Sequence, residues 1–248
     1  MQNEVASAVA REVKVQLTPV EERQLGQTDS SESATYEAYL KGMFQLHKGS
    51  PMGYRRAIEI FTEAVENNPN SALAYAGLAI GYSQLGHSPY PVAGAYPRAQ
   101  EAAQRAIEFD PDLAEAHLAV AMYKMHYEWN FAAAEAAFLR ALELNPSLVD
   151  AHYHYAWLLE LLLRDEEAIE YGEYTKELNR LSPFYTAWLA DQYRDAGMFN
   201  EAIREAKTTL ELNPRYSVAW VALGQTYMDM GRVDEAIEAH EQLRGGSG

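Results

Sequence analysis

The sequence predicts an all-α protein, a solenoid in which helical units stack on one another. Two observations support this prediction: an alanine recurs with a spacing that is constant over its last four positions, and a helix stop follows most of these alanines. The constant spacing is about 34 residues, a period that is typical of stacked supersecondary units. We expect each alanine to lie where two helices approach too closely for a larger side chain. The six positions are Ala57, Ala99, Ala134, Ala168, Ala202 and Ala236.

The helix stops are Asn–Pro or Asp–Pro pairs. Proline cannot continue a helix, and the residue before it is pushed out of the helical region. The fourth unit has Ser182–Pro183 instead, so we expect its helix to end slightly later. The pairs in the other units are Asn68–Pro69, Asp110–Pro111, Asn145–Pro146 and Asn213–Pro214.

The last unit resembles the tetratricopeptide repeat. The signature residues of that family stand at Trp220, Leu223, Gly224 and Tyr227, and the recurring alanine follows nine residues later. About six such repeats fit residues 34–244. The resemblance implies two antiparallel helices per repeat, wound into a right-handed α-solenoid, and a scaffold for protein–protein interaction. The second unit shows the pattern again at Tyr75, Leu78, Ala79 and Tyr82.

We expect residues 1–33 to form a helical stub and a linker before the array, and residues 245–248 to be a linker or a cloning scar. Val5, Val9 and Val13 give the stub an apolar stripe on one helical face. The layout is similar to that of bacterial regulators in which a repeat array follows a small α/β domain. In those regulators the N-terminus carries a winged helix, a nucleotide cyclase or a Ser/Thr kinase. This resemblance implies that the array is the sensing or docking part of a regulator.

The first two repeats have irregular connections. The first repeat is expected to pair helices over residues 34–47 and 54–67, across a turn about three residues longer than the family standard. The second repeat carries eight extra residues within 86–97, a stretch that contains three prolines and two tyrosines. This loop is interpreted either as an ordered functional excursion or as a tolerated insertion.

The composition favours some partners over others. The net charge of −16 and the isoelectric point near 4.8 disfavour nucleic acid and anionic membranes and favour basic partners, although a solvated acidic surface is the simpler interpretation. Without cysteine there are no disulfides and no thiol catalysis. No apolar stretch approaches the ~20 residues of a membrane span, and no apolar signal core begins the chain. We expect a cytoplasmic location, with the periplasm as the alternative, and leave self-association open.

The sequence contains no enzyme motif such as a phosphate-binding glycine loop, a nucleophile elbow or a zinc-protease helix, and we expect no catalysis, metal or cofactor. His117 and His152 stand at the aromatic position of their repeats, where a packed, hydrogen-bonded imidazole is expected. A metal-dependent enzyme that uses His126, Asp150 and His154 is the remote alternative, because the last two lie four residues apart on a helix.

The expected functional surface is the groove lined by the first helix of each repeat. The family resemblance implies contact positions one and five residues past the large aromatic residue, and at nearby offsets. Side chains there are apolar, aromatic and Met-rich, which favours a protein or peptide partner that is apolar or amphipathic and has basic flanks. The predicted contact residues are Ile80, Leu118, Met122, Met125, His126, Tyr153, Trp157, Trp188, Asp191, Gln225 and Met228.

The same positions permit two other interpretations. Tyr153, Trp157 and Trp188 are suited to caging a small signal molecule, as in a ligand sensor. Alternatively, tight curvature buries many of these side chains against one another, so that they are core residues. A buried aromatic pocket closed at both ends would favour the sensor.

Overall fold

The computed structural model describes residues 30–88 and 91–245. The predicted apolar stripe near the start of the chain lies outside the described residues. The first helix of the described residues begins at Ser30, and the predicted start of the array at residue 34 lies within this helix. In the described part of the chain, no helix combines the length and the apolar character needed to cross a membrane.

Helices make up the regular structure of the described residues, which hold twelve helices and no strand. They follow one another as six pairs, and the predicted all-α solenoid of about six repeats is confirmed. The pairs are α1 (Ser30–Leu46) with α2 (Pro51–Asn67), α3 (Ala72–His87) with α4 (Ala95–Phe109), α5 (Ala114–His126) with α6 (Phe131–Leu144), α7 (Val149–Leu161) with α8 (Asp165–Leu178), α9 (Pro183–Asp195) with α10 (Phe199–Leu212), and α11 (Ser217–Asp229) with α12 (Val233–Gly245).

The chain divides into two compact units, residues 1–148 and residues 149–248. In the first unit, α2 packs against α3 and α4 packs against α5, while the first helices α1, α3 and α5 contact one another in a row. In the second unit, α8 packs against α9, α10 packs against α11, and α9 also contacts α11. Each unit is therefore a stack of helix hairpins in which one repeat packs on the next.

Small residues allow these helices to approach closely. All six recurring alanines are at most 1% exposed, so the prediction made from their spacing is confirmed. In the first unit, the Phe61 ring of α2 lies against two glycines. A Cβ atom at Gly42 would lie 2.2 Å from Phe61 Cζ, and one at Gly77 would lie 2.4 Å from Phe61 Cε1. A side chain at either glycine would therefore displace the ring from the core.

The Asx residue of each helix stop also acts as a cap. The Asn145 N–H donates to Ala141 O over 2.9 Å and closes the last turn of α6, and Asn145 Oδ1 accepts a hydrogen bond from Ser147 N–H (3.1 Å). The later helix end expected in the fourth unit is wrong. Asn179 caps α8 at the same point of the repeat, and Pro183 begins α9. The backbone of Asn179 leaves the helical conformation (φ −139°, ψ 66°) while its N–H still donates to Thr175 O, so the helix ends here without a proline directly after it.

The turns inside the later repeats contain a residue with positive φ. Gly197 and Gly231 supply it in the last two repeats, with φ of 74° and 71°. The equivalent residues of the third and fourth repeats are Trp129 (φ 53°) and Leu163 (φ 58°), and their side chains are 70% and 85% exposed. The left-handed conformation costs a residue with a Cβ atom roughly 1–2 kcal/mol. Two large apolar side chains are therefore held in solvent on strained backbone.

The connections of the first two repeats differ in part from the predictions. α2 begins at Pro51, three residues before the predicted start, because Ser50 accepts a capping hydrogen bond from Gly53 N–H over 3.1 Å. In the second repeat, Tyr96 of the insertion stacks on Tyr127 with ring centroids 4.9 Å apart. The end of the insertion that leads into α4 is thus ordered against the helices.

Replacing Ala134 with leucine is expected to destabilise the array. Ala134 is fully buried, and three added heavy atoms in a close helix contact typically cost ~1–3 kcal/mol. Ala132→Leu, at an exposed position of the same helix, is the matched control and should change the free energy of unfolding by less than ~0.5 kcal/mol. Urea denaturation followed by circular dichroism measures both. Equal effects at the two positions would contradict the packing described for α6.

Candidate functional site

The predicted contact residues of the first unit are core residues. Ile80, Leu118, Met122 and Met125 are at most 2% exposed, and His126 is 7% exposed. Because α3 and α5 pack directly side by side, the side chains between them are drawn into the interior. These five residues offer a partner almost no surface. The expectation of an open Met-rich strip is therefore wrong for this unit, where the alternative of core residues applies.

The predicted contact residues of the second unit lie on one side of its first helices. Residues one repeat apart fall into register, with Trp157 on α7, Asp191 on α9 and Gln225 on α11. Their neighbours complete a partly exposed surface that we call the α7–α9–α11 face. Every member is half-buried or exposed: Tyr153, Trp157, Glu160, Phe184, Trp188, Asp191, Arg194, Gln225 and Met228.

Aromatic rings form one end of this face. The Tyr153 ring lies edge to face against Trp188 (centroids 4.5 Å apart) and against Phe184 (5.1 Å). The buried ring of Tyr185 lies 5.8 Å from Tyr153, and its hydroxyl donates to Asp150 Oδ1 over 2.9 Å. Edge-to-face contacts at these separations stabilise the arrangement beyond simple burial. The rings therefore form a preorganised apolar surface.

Carboxylates gather at the other end of the face around one guanidinium group. Arg194 Nη1 lies 3.0 Å from Asp191 Oδ1, and its Nη2 lies 2.7 Å from Asp195 Oδ1. The Nε atom of Arg194 is 3.7 Å from Asp229 Oδ2, and Nη1 also donates to the Gln225 amide oxygen. Because three carboxylates share one cation, this end of the face keeps a net negative charge.

Glu160 lies towards the acidic end of the face, one helical turn after Trp157 and one repeat before Arg194. Burial raises the pKa of Glu160 to about 7, a hydrogen bond from the Gln192 side chain opposes the rise, and the negative charges of Asp195, Asp165 and Asp191 add to it. Burial raises the pKa of Asp191 as well. The charges that shift the pKa of Glu160 are all negative, so a cation placed beside it would be attracted.

The histidines at the aromatic repeat positions each show one part of the predicted packed, hydrogen-bonded imidazole, a hydrogen bond for His117 and burial for His152. His117 Nε2–H donates to Pro111 O over 2.7 Å, and Trp220 Nε1–H makes the equivalent bond to Pro214 O over 3.0 Å. A carbonyl oxygen only accepts, so the proton belongs to His117 Nε2. His152 is buried among the tyrosines of α8. The imidazole of His117 thus replaces the indole of the repeat signature.

The residues of the metal-enzyme alternative have other contacts. Buried His154 lies against the Tyr153 ring (4.6 Å), Asp150 accepts a hydrogen bond from Tyr185, and His126 stacks on another histidine. Within the described part of the chain, no three His, Asp or Glu side chains come close enough together to hold a metal ion.

Phe184 belongs to the face, but the sequence analysis does not identify it. It lies one helical turn before Trp188, so both rings project from the same side of α9. The signal available in the sequence was this i,i+4 spacing, together with the proline that fixes the start of the helix.

Comparison with known proteins agrees with the repeat pattern. Two family models, both described as tetratricopeptide repeat, match residues 130–184 and 193–245. The small glutamine-rich tetratricopeptide repeat-containing protein 2 of Mycosarcoma maydis is 33% identical over 66 residues, which are 27% of this chain and 19% of that protein. The chain thus spans less than a fifth of the length of this relative.

Solved structures share the fold at low sequence identity. YrrB, a tetratricopeptide-repeat protein with an unusual peptide-binding site, is 22% identical with a TM-score of 0.53, over 75% of this chain and 92% of YrrB. Human IFIT1, a dimer with m7Gppp-AAAA, is 19% identical with a TM-score of 0.68, over 84% of this chain and 50% of IFIT1. The family matches identify residues 130–184 and 193–245 as tetratricopeptide repeats, and the helix pairs of the other described residues share the same fold. Such repeats generally mediate protein–protein interactions.

Raising the pH from about 5 to about 8 is expected to destabilise the protein through Glu160. Its pKa is about 7 in the folded chain against an ordinary value of 4.5, so between these values the folded state binds more protons than the unfolded state. The stabilisation is complete below the ordinary pKa and is lost as the pH rises through 7, by ~2 kcal/mol.

Glu160→Gln, which cannot ionise, is the comparison. Its free energy of unfolding, measured by urea denaturation at each pH, should lack this fall. Parallel pH profiles for wild type and variant would contradict the raised pKa of Glu160.

Proposed function

We propose that the chain is a non-catalytic interaction scaffold that binds a peptide segment, apolar or amphipathic with basic flanks, on the α7–α9–α11 face. The observation that carries the proposal is the cluster of partly exposed rings, Tyr153, Phe184 and Trp188, on a face whose other end is acidic. Stacked repeats commonly bind partners along the extended surface formed by successive units. In a larger protein, this array would be the docking or sensing part of a regulator.

The aromatic end supplies affinity. Covering its rings removes apolar surface from water, which contributes about 25 cal/mol per Å². The rings already hold one another in place, so a partner orders little that was free before it bound. Interface energy concentrates in a few aromatic residues, and Trp157, which lies between the ring cluster and Glu160, is the expected anchor.

The acidic end supplies selectivity. The carboxylates of Asp191, Asp195 and Asp229 outnumber Arg194, so basic residues next to the apolar segment of a partner are favoured. Such charges act mainly on association rate and specificity, and salt weakens them. The net charge of −16 acts in the same direction and opposes a nucleic-acid partner.

A small-ligand cage fits the face less well than a peptide. The Tyr153 and Trp188 rings are only 4.5 Å apart between centroids, so they occupy the space that a caged molecule would need. A peptide needs no such space, because it lies across the exposed parts of the rings. The peptide-binding site attributed to YrrB is a precedent on the same fold.

Trp157→Ala should weaken the binding of peptides selected on the wild-type protein by at least about tenfold, because the variant removes the expected anchor. The peptides are selected from a random library, and their affinities are measured by isothermal titration calorimetry at low and high salt. Trp129→Ala, which removes a tryptophan that is 70% exposed in the first unit, is the control and should bind as wild type does. Selected peptides should be basic, and their affinity should fall with salt. Selection of acidic peptides, or equal affinity for wild type and Trp157→Ala, would overturn the proposal.

A further inference from the structure

The last two repeats form a cavity of about 490 Å³ that is distinct from the α7–α9–α11 face. Its apolar lining comes from three helices: Leu210 of α10, Trp220 and Leu223 of α11, and Ala239 of α12. The side of α11 that carries Trp220 and Leu223 is not the side that carries Gln225 and Met228. The cavity therefore offers a second place for a ligand within the same unit.

The preceding repeat has an ion pair at the positions equivalent to Leu210 and Ala239. Lys176 stands one repeat before Leu210, and Glu205 stands one repeat before Ala239. Lys176 Nζ reaches Glu205 Oε2 over 2.6 Å, and the Glu205 side chain is only 5% exposed. An aliphatic stem with an ammonium group thus lies between α8 and α10. In the last repeat, leucine and alanine replace the ion pair, and the cavity is open.

Acidic side chains surround the open cavity. Glu211, Glu235 and Glu238 line it together with one cation, Lys207. Glu235 is bound to Arg232, which lowers the pKa of Glu235, and Lys207 lowers it further. Among the described residues, Glu211 and Glu238 form no ion pair. An apolar floor with two carboxylates at its rim is complementary to a molecule that is apolar at one end and cationic at the other.

We infer that this cavity binds a small amphiphilic amine, a molecule with an apolar body and a primary ammonium group. The body would cover Leu210 and Trp220, whose indole N–H is already bonded to Pro214 O and so presents an apolar surface. The ammonium group would reach Glu211 or Glu238, as the ammonium group of Lys176 reaches Glu205 in the repeat before. The inference does not depend on peptide binding at the α7–α9–α11 face.

The test uses three probes that share one apolar body: 4-phenylbutylamine, 4-phenylbutanol and 4-phenylbutyrate. Binding is followed by the indole N–H signal of Trp220 in ¹⁵N-resolved NMR spectra, assigned by its loss in Trp220→Phe. The amine should shift this signal saturably and bind at least about tenfold more tightly than the alcohol, whereas the carboxylate should not bind. Nα-acetyl-lysine amide, which represents a lysine in a peptide, should bind more weakly than the amine because its apolar part is shorter.

Two variants separate the contributions of shape and charge. Leu210→Lys combined with Ala239→Glu transplants the ion pair of the preceding repeat and should abolish amine binding. Glu211→Gln combined with Glu238→Gln keeps the cavity and alters only exposed positions, so it should reduce amine affinity about tenfold and leave the alcohol unchanged. Trp157→Ala should bind the amine as wild type does. Equal affinity of amine and alcohol, or amine binding that survives both double variants, would overturn the inference.

Discussion

The array depends on helix contacts made at residues with little or no side chain. Each recurring alanine lies at such a contact, and the Phe61 ring fills the space beside Gly42 and Gly77. Close packing of this kind tolerates neither a larger residue nor a void. Because each repeat contacts only its neighbours, the same contact repeated within each unit transmits order from one hairpin to the next.

Close packing of the helices also determines which side chains remain exposed to a binding partner. In the first unit, direct packing of the first helices encloses residues such as Leu118 and Met122. In the second unit, Tyr153, Phe184 and Trp188 meet through their rings and stay partly exposed. The candidate surface therefore lies on the second unit, where these rings remain accessible.

Much of the fold could be predicted from the sequence, because the same local sequence signals recur in several repeats. The alanine spacing predicted the helix contacts, and the Asx–Pro pairs predicted the helix ends. The difference in exposure between Met122 and Trp157 could not be predicted, because both stand five residues past the aromatic position of their repeats and their burial depends on the residues of neighbouring helices. The left-handed conformation of Leu163 could not be predicted for a similar reason. It is imposed by the turn that the residue occupies, against the preference of the residue itself.

The ion pair between Lys176 and Glu205 has a further consequence for how the second unit responds to heat. The cost of removing charged groups from water falls as temperature rises, whereas hydrophobic stabilisation per unit area levels off. The contact between α8 and α10, which carries this pair, should therefore lose less stability on heating than the contact between α10 and α12. There, Leu210 and Ala239 stand at the equivalent positions. On heating, the contact between α10 and α12 is therefore expected to open before the contact between α8 and α10 does.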